Sequence, residues 1–322
     1  MTPRTSPSSI DALLLLMVVI WGANYSVIKR AFLEIPPQPF NAIRMALAAC
    51  VFLITIRLAQ RRARATRGRM SPIFYTPFPL TRRDRIDLLW LGLVGHWMYQ
   101  LFFVGGVAKT SVSNGALIIG ATPVAIATVS ALLGREAIGI LHWIGAAVSI
   151  TGIYFVVGRG ASFGGATLGG DLLVMISVAC WTTYTLGAAH LIKRHSPLYV
   201  TGMTMAIGAV PYALLALPQI IAMNWAAVSA WTWTALVLSA LLALCLSYLI
   251  WYIAVQRIGP ARTSLYSNLV PIVAITVAAI WLGEPLTPLK LTGAGLVLAG
   301  VFLSRLGRKM TAPEPGPEQS GG

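Results

Sequence analysis

The sequence predicts an all-α integral membrane protein: ten transmembrane helices in two inverted five-helix repeats. Three observations carry this. Of 322 residues, 57% are hydrophobic and only 10% are charged, where soluble domains hold about a quarter charged. The apolar residues fall into runs of roughly 20, the length that crosses a bilayer. Finally, the chain repeats itself. Residues 107–157 align without gaps on 255–305, an offset of 148, with 11 identities in 51 positions. Pro123 and Pro271, Glu136 and Glu284, Gly145 and Gly293, and Gly152 and Gly300 share this register. Such residues punctuate helices rather than fill them, so the match marks an internal repeat of the kind found in transporters.

In chain order, 1–10 is a polar tail and 11–32 the first helix. The run lacks a small-residue cleavage site, so it does not read as a signal peptide. It also recurs, with Asp11 and Trp21 matching Asp171 and Trp181 at an offset of 160. Pro36-Pro37-Gln38-Pro39 leads into helix 2, 40–58. The loop 59–85, with Arg57, carries nine arginines and supplies the 12 residues by which the two offsets differ. Helices 3, 4 and 5 follow at 86–106, 113–133 and 138–157, closing a first repeat of 11–157. A Gly-rich linker, 158–170, leads to the second repeat, 171–305. Its helices 6 to 10 lie at 171–192, 198–217, 232–255, 263–282 and 288–305. The tail 306–322 is polar, rich in Pro and Gly, and predicted to be disordered.

Ten spans place both termini on one side. If that side is the cytoplasm, 18 Lys and Arg fall inside and 5 outside, with Arg44 inside a span. The bias follows the positive-inside rule and predicts a bacterial inner-membrane protein with cytoplasmic termini. It also accounts for the net charge of +15 without nucleic acid as a partner. Five helices per repeat is odd, so the repeats must be inverted. Cys50, Cys180 and Cys245 lie scattered in apolar runs and read as buried small hydrophobes.

Trp21-Gly22-Ala23-Asn24-Tyr25, Ala42-Ile43-Arg44, and Pro123 and Pro271 followed by Leu133-Gly134-Arg135-Glu136 and Leu282-Gly283-Glu284 resemble the motifs of the EamA family of the drug/metabolite transporter superfamily. The resemblance covers about 11–305. It implies a central cavity lined mainly by helices 1, 3, 4, 6, 8 and 9, with helices 5 and 10 peripheral. It also implies export of small metabolites such as amino acids. The second repeat departs at helix 6, where Trp181-Thr182-Thr183-Tyr184 lacks the Gly and Asn of the first.

Polar and aromatic residues at membrane depth are the candidate substrate-binding groups, because lipid offers them no hydrogen bonds. These are Trp21, Asn24 and Tyr25 in helix 1, and His96, Trp97 and Gln100 in helix 3. Helix 4 adds Asn114, helix 6 Trp181 and Tyr184, helix 8 Tyr248 and Tyr252, and helix 9 Tyr266 and Asn268. His96 and Gln100, four apart, are expected on one helix face. Interhelical packing is the competing reading for each aromatic residue. Pro123 and Pro271, mid-helix, are candidate hinges. Arg44 reads as a structural anchor able to snorkel toward the start of helix 2. Glu136 and Glu284 read as caps on the amides that open the next helix. Gly145, Ala146, Ser149, Gly293, Ala294 and Gly300 suit close helix contact, within the chain or in a homodimer.

No GxxxxGK[ST] loop and no HExxH pattern occur, and the four His are dispersed. No catalytic residue, metal site or cofactor is therefore expected. All nine Asp and Glu lie near span ends or outside the spans, which leaves His96 as the candidate proton carrier. The partners expected are a small-molecule metabolite and the lipid bilayer. A nucleotide-sugar or lipid-linked substrate translocase on the same scaffold is the alternative, and a membrane-embedded enzyme a remote one.

Overall fold

A computed structural model describes residues 7–66, 70–134, 139–157 and 166–306. Glu136, most of the linker and the 307–322 tail lie outside the described residues. The described chain is helical throughout, with no strand. Eight of its helices are long and apolar enough to span a membrane. They are α1 (Pro7–Ala31), α2 (Pro37–Ala65), α3 (Arg82–Lys109), α4 (Val112–Leu132), α6 (Ala166–Leu191), α7 (Pro197–Ala222), α8 (Ala230–Pro260) and α9 (Arg262–Trp281). Two shorter apolar helices, α5 (Ile140–Val157) and α10 (Pro288–Leu306), complete the described set.

Local chemistry sets the helix starts. Pro37 opens α2 at a position that needs no backbone N–H. Thr81 caps α3 in a reciprocal box: its hydroxyl accepts from the Asp84 N–H at 3.1 Å, and Asp84 Oδ2 accepts from the Thr81 N–H at 2.9 Å. Ser111, Ser196 and Ser229 cap α4, α7 and α8 in the same manner on one side. Gly134 and Gly283 follow α4 and α9 with φ of 66°, a conformation glycine adopts without strain.

Several boundaries differ from expectation, most of them by helices that run longer: α1 begins at Pro7, α3 at Arg82, α7 ends at Ala222 and α8 at Pro260. Helix α2 runs on to Ala65, so Arg61, Arg62 and Arg64 are helical rather than part of the loop. Nothing in that stretch breaks a helix, and arginine is a good helix former. Helix α6 begins at Ala166, inside the expected linker.

Four of the long helices are irregular. α3 widens to a π-helix over Leu93–Met98, and α8 does so over Ser239–Leu246. α4 breaks at Ala121, so Pro123 starts its second segment rather than kinking a continuous helix. In α9 a 3₁₀ turn, Tyr266–Leu269, precedes the segment that Pro271 opens.

α1, α3, α4, α6, α8 and α9 pack around the molecular centre, with α2 and α7 paired beside them. α5 and α10 pack on each other. The small residues form that contact. A Cβ on Gly145 would come within 2.3 Å of the Ser304 backbone N, and one on Gly152 within 2.7 Å of the Val297 N. Ser149 Oγ donates to the Val297 carbonyl at 3.2 Å. The small-residue stripes thus meet each other inside one chain, antiparallel, so this surface is not available for a homodimer. Gly145→Leu is expected to separate α5 from α10, because the clash is with backbone and no rotamer relieves it. Size-exclusion chromatography of the solubilised variant should show aggregated protein; a monodisperse, wild-type-like profile would contradict this packing.

Candidate functional site

The centre of the bundle holds a small cavity of about 60 Å³. Of the expected residues, Trp21, Asn24, Tyr25, Gln100, Trp181 and Tyr248 line it. Trp21 is the middle of its aromatic wall. It packs edge-on against Trp181 (ring centroids 5.8 Å apart) and Tyr248 (5.9 Å) and lies 5.6 Å from Trp251. Tyr99 and Phe103 stack at 5.5 Å and extend the wall. Contacts of this type contribute about 0.5–1.5 kcal/mol each. The Trp21 indole donates to the Ala243 carbonyl at 3.0 Å. Ala243 lies in the π segment of α8, where the widened turn disrupts the ordinary ladder.

Arg44 also lines the cavity. The expectation that it snorkels outward fails: it is buried, only 1% exposed. It stands seven residues into α2, about 10 Å along the axis, and its guanidinium meets neutral groups. Nη1 donates to Ser239 Oγ at 2.9 Å and Nη2 to Gln100 Oε1 at 3.1 Å. Ser239 Oγ in turn donates to Asn24 Oδ1 at 2.6 Å, and Gln100 Nε2 to Tyr248 Oη at 3.2 Å. One network therefore joins α1, α2, α3 and α8. Arg44 is the single charged side chain in the lining.

The remaining expected residues lie outside the lining. His96 is fully buried, with Nε2 2.9 Å from Tyr184 Oη and 3.2 Å from Thr204 Oγ1. His96 and Gln100 do meet a common neighbour, Tyr248, the first at a ring-centroid distance of 5.4 Å and the second through Nε2, but only Gln100 lines the cavity. Trp97 is half-buried. Tyr184 and Tyr252 are buried against each other, with ring centroids 5.3 Å apart. Asn114 Nδ2 donates to Asp171 Oδ2 at 3.4 Å. Tyr266 Oη donates to Asp11 Oδ1 at 2.5 Å. Asn268 is buried beside Ser267, which does line the cavity. Tyr99, Phe103, Thr122, Ser239 and Ser267 were not anticipated. Ser239 is a lone hydroxyl in an apolar run, which is the one signal the sequence offered for it.

Helix ends are closed by groups distant in sequence. Glu284 is a cap, but not on the helix that follows it. Its carboxylate accepts from the Val112 N–H at 2.7 Å, the Ser113 N–H at 3.1 Å and Ser113 Oγ at 2.6 Å, all at the start of α4. Lys29 Nζ donates to the carbonyls of Val107, Ala108 and Thr110 at the end of α3. Thr110 Oγ1 donates to Asp171 Oδ1, which sits buried near the start of α6. Glu34 accepts from the Ser229 N–H and hydroxyl at 2.8 and 2.9 Å. Those two bonds hold its carboxyl below the usual carboxylate range. Next to the opposite end of α4 a recess opens, lined by Ser130, His190, Lys193, Gln256, Gly259 and Pro260. Among the described residues no group of three or more His, Cys, Asp or Glu is placed to hold a metal ion.

Two stretches of the chain, 8–158 and 168–306, match the EamA-like transporter family. An uncharacterized transporter of Bacillus subtilis (strain 168), YyaM, is 27% identical over 297 residues, covering 91% of this chain and 92% of its own. A probable terminal-alkyne amino-acid exporter of Streptantibioticus cattleyicolor is 26% identical over 307 residues, covering 94% and 96%. A solved crystal structure aligns with a TM-score of 0.65 at 17% identity over 94% of this chain and 98% of that one, a likeness of fold.

Replacing Glu284 removes the acceptor of two α4 amides. Glu284→Ala should lower stability by about 1–2 kcal/mol, read as a lower melting temperature of the solubilised protein. A melting temperature equal to wild type would show the cap to be dispensable.

Proposed function

The chain belongs to the EamA-like transporter family, and from that premise we propose how this membrane transporter works. It is a secondary transporter that exports a small metabolite such as an amino acid across the bacterial inner membrane, by alternating access of the central cavity. The observation that carries this is the cavity itself, walled by aromatic residues and crossed by a polar network from four helices. The similarity to a relative named a probable amino-acid exporter supports the substrate class. Among the described residues, no acidic side chain lines the cavity, so exchange or uniport fits better than carboxylate-based proton coupling. His96 is sealed between Tyr184 and Thr204 away from the lining, which weakens its candidacy as a proton carrier.

All ten helices cross the bilayer in this reading, in two inverted repeats. Several features support it at the offset of 148. The break at Ala121 corresponds to Leu269, the last residue of the 3₁₀ turn in α9. The π segment Leu93–Met98 corresponds to 241–246, within Ser239–Leu246. The family matches each half separately. Inverted repeats put substrate at their interface, near the bilayer midplane, and the meeting of Trp21 in the first half with Trp181 and Tyr248 in the second supports such a site. The Lys29, Asp171 and Glu284 contacts then seal the outer side, while the recess at Lys193 and Gln256 faces the cytoplasm.

Counterflow of labelled amino acids, nucleosides and sugars in proteoliposomes tests the function. One substrate class should exchange, Thr122→Trp should abolish exchange by filling the cavity, and Asn24→Ala should slow it about tenfold. If wild type moves none of these compounds, metabolite export is wrong; if Thr122→Trp is folded and fully active, the cavity is not the route. Topology is read separately in a cysteine-free background. Arg30→Cys should react with a membrane-impermeant maleimide added to intact cells and Arg64→Cys should not; the opposite pattern would invert the orientation.

A further inference from the structure

Arg44 has more hydrogen-bonding capacity than its surroundings use. Two of its donors are engaged, by Ser239 and Gln100, and its Nε has no partner. No carboxylate pairs with it among the described residues. A guanidinium stays protonated in a protein, and an uncompensated buried charge costs several kcal/mol. Such a charge inside a membrane span points to function rather than to packing. The unengaged Nε–H and a remaining Nη–H form a two-donor edge of the shape that a carboxylate fits.

We propose that Arg44 anchors the carboxylate of the transported molecule, and that the cavity takes a monoanionic carboxylate with a flat apolar tail. This rests on the transporter reading for what happens after binding, but the binding itself is separable from it. The charge count in the cavity narrows the class. One cation matches one negative charge. A pyrophosphate brings two or more, and the other candidate cations are elsewhere: Lys29 is held by three carbonyls, and Arg30 and Arg262 are exposed outside the lining. An α-ammonium group would find no carboxylate in the lining. Within the proposed class of small metabolites, a deaminated or N-acylated amino acid therefore fits better than the free zwitterion. The apolar tail is received by Trp21, Trp181 and Tyr248, whose rings line the cavity. Ser239 and Gln100 hold the guanidinium in place, so it is pre-oriented before the anion arrives.

The test uses the purified full-length protein in detergent, with phenylacetate, phenylacetamide and L-phenylalanine as probes, read by thermal melting and by quenching of tryptophan fluorescence. Phenylacetate should bind at least about tenfold more tightly than either other compound. Arg44→Lys, which keeps the charge but loses the fork, should weaken phenylacetate about tenfold. Arg44→Gln should remove the discrimination between acid and amide. Equal binding of the amide or of phenylalanine overturns the proposal, as does discrimination retained by Arg44→Gln, or no response of wild type to phenylacetate at about 10 mM. The comparison of acid with amide needs only wild type and does not depend on a variant folding. Counterflow of labelled phenylacetate is scored apart from binding. Binding without transport sinks the transporter reading and leaves the anchor standing. Transport of a neutral compound that Arg44→Gln leaves unchanged does the reverse.

Discussion

A helix end in or near lipid leaves backbone N–H and C=O groups that water does not satisfy, and the protein must supply their partners. In this chain many of those partners come from far along the sequence. Glu284 closes the start of α4 and Lys29 the end of α3. Glu34 sits on the start of α8. Asp84, at the start of α3, lies 3.4 Å from Arg194 and 3.2 Å from His195 in the turn between α6 and α7. Three of these four cross from one half of the sequence to the other, and the fourth, Lys29, links α1 to α3. The two halves are thereby tied at both rims of the bundle, around a centre where they touch mainly through side chains.

That centre combines rigidity with an unspent charge. The wall of rings around Trp21 is packed edge to face, and the only ion among the lining residues is held by neutral oxygens. A guanidinium so placed is tolerated because Ser239 and Gln100 satisfy part of it and because its own helix is locked beside α7. Replacing such a group with a hydrophobic one is often harmless to stability. Its presence is better understood as a requirement of the ligand than of the fold.

The irregular helices serve the same centre. π segments in α3 and α8 rotate the side chains that follow them. Gln100 and Tyr248, which follow these segments, line the cavity, and His96, inside the first, bonds Tyr184 and packs on Tyr248. The Ala121 break and the 3₁₀ turn of α9 place Thr122 and Ser267 at the lining. Each departure from α-helical geometry thus re-aims a polar group.

Composition, apolar run length and the repeated Pro, Glu and Gly register were sufficient to identify a multi-pass helical membrane protein and most of its helices, because the bilayer demands long apolar segments whatever their packing. Trp21, Asn24, Tyr25, Gln100, Trp181 and Tyr248 were recognisable as candidates because polar and aromatic groups at membrane depth are few. What the chain alone did not reveal depends on rotation about a helix axis and on partners far away in sequence. The i, i+4 rule joined His96 to Gln100, and both do meet Tyr248; only the packing decides that Gln100 lines the cavity and His96 does not. Glu284 looked like a cap on its neighbour because sequence shows adjacency, whereas the amides it meets lie more than 170 positions away. Arg44 near a helix start looked free to snorkel, and only the packing of α3, α7 and α8 around α2 turns its charge inward.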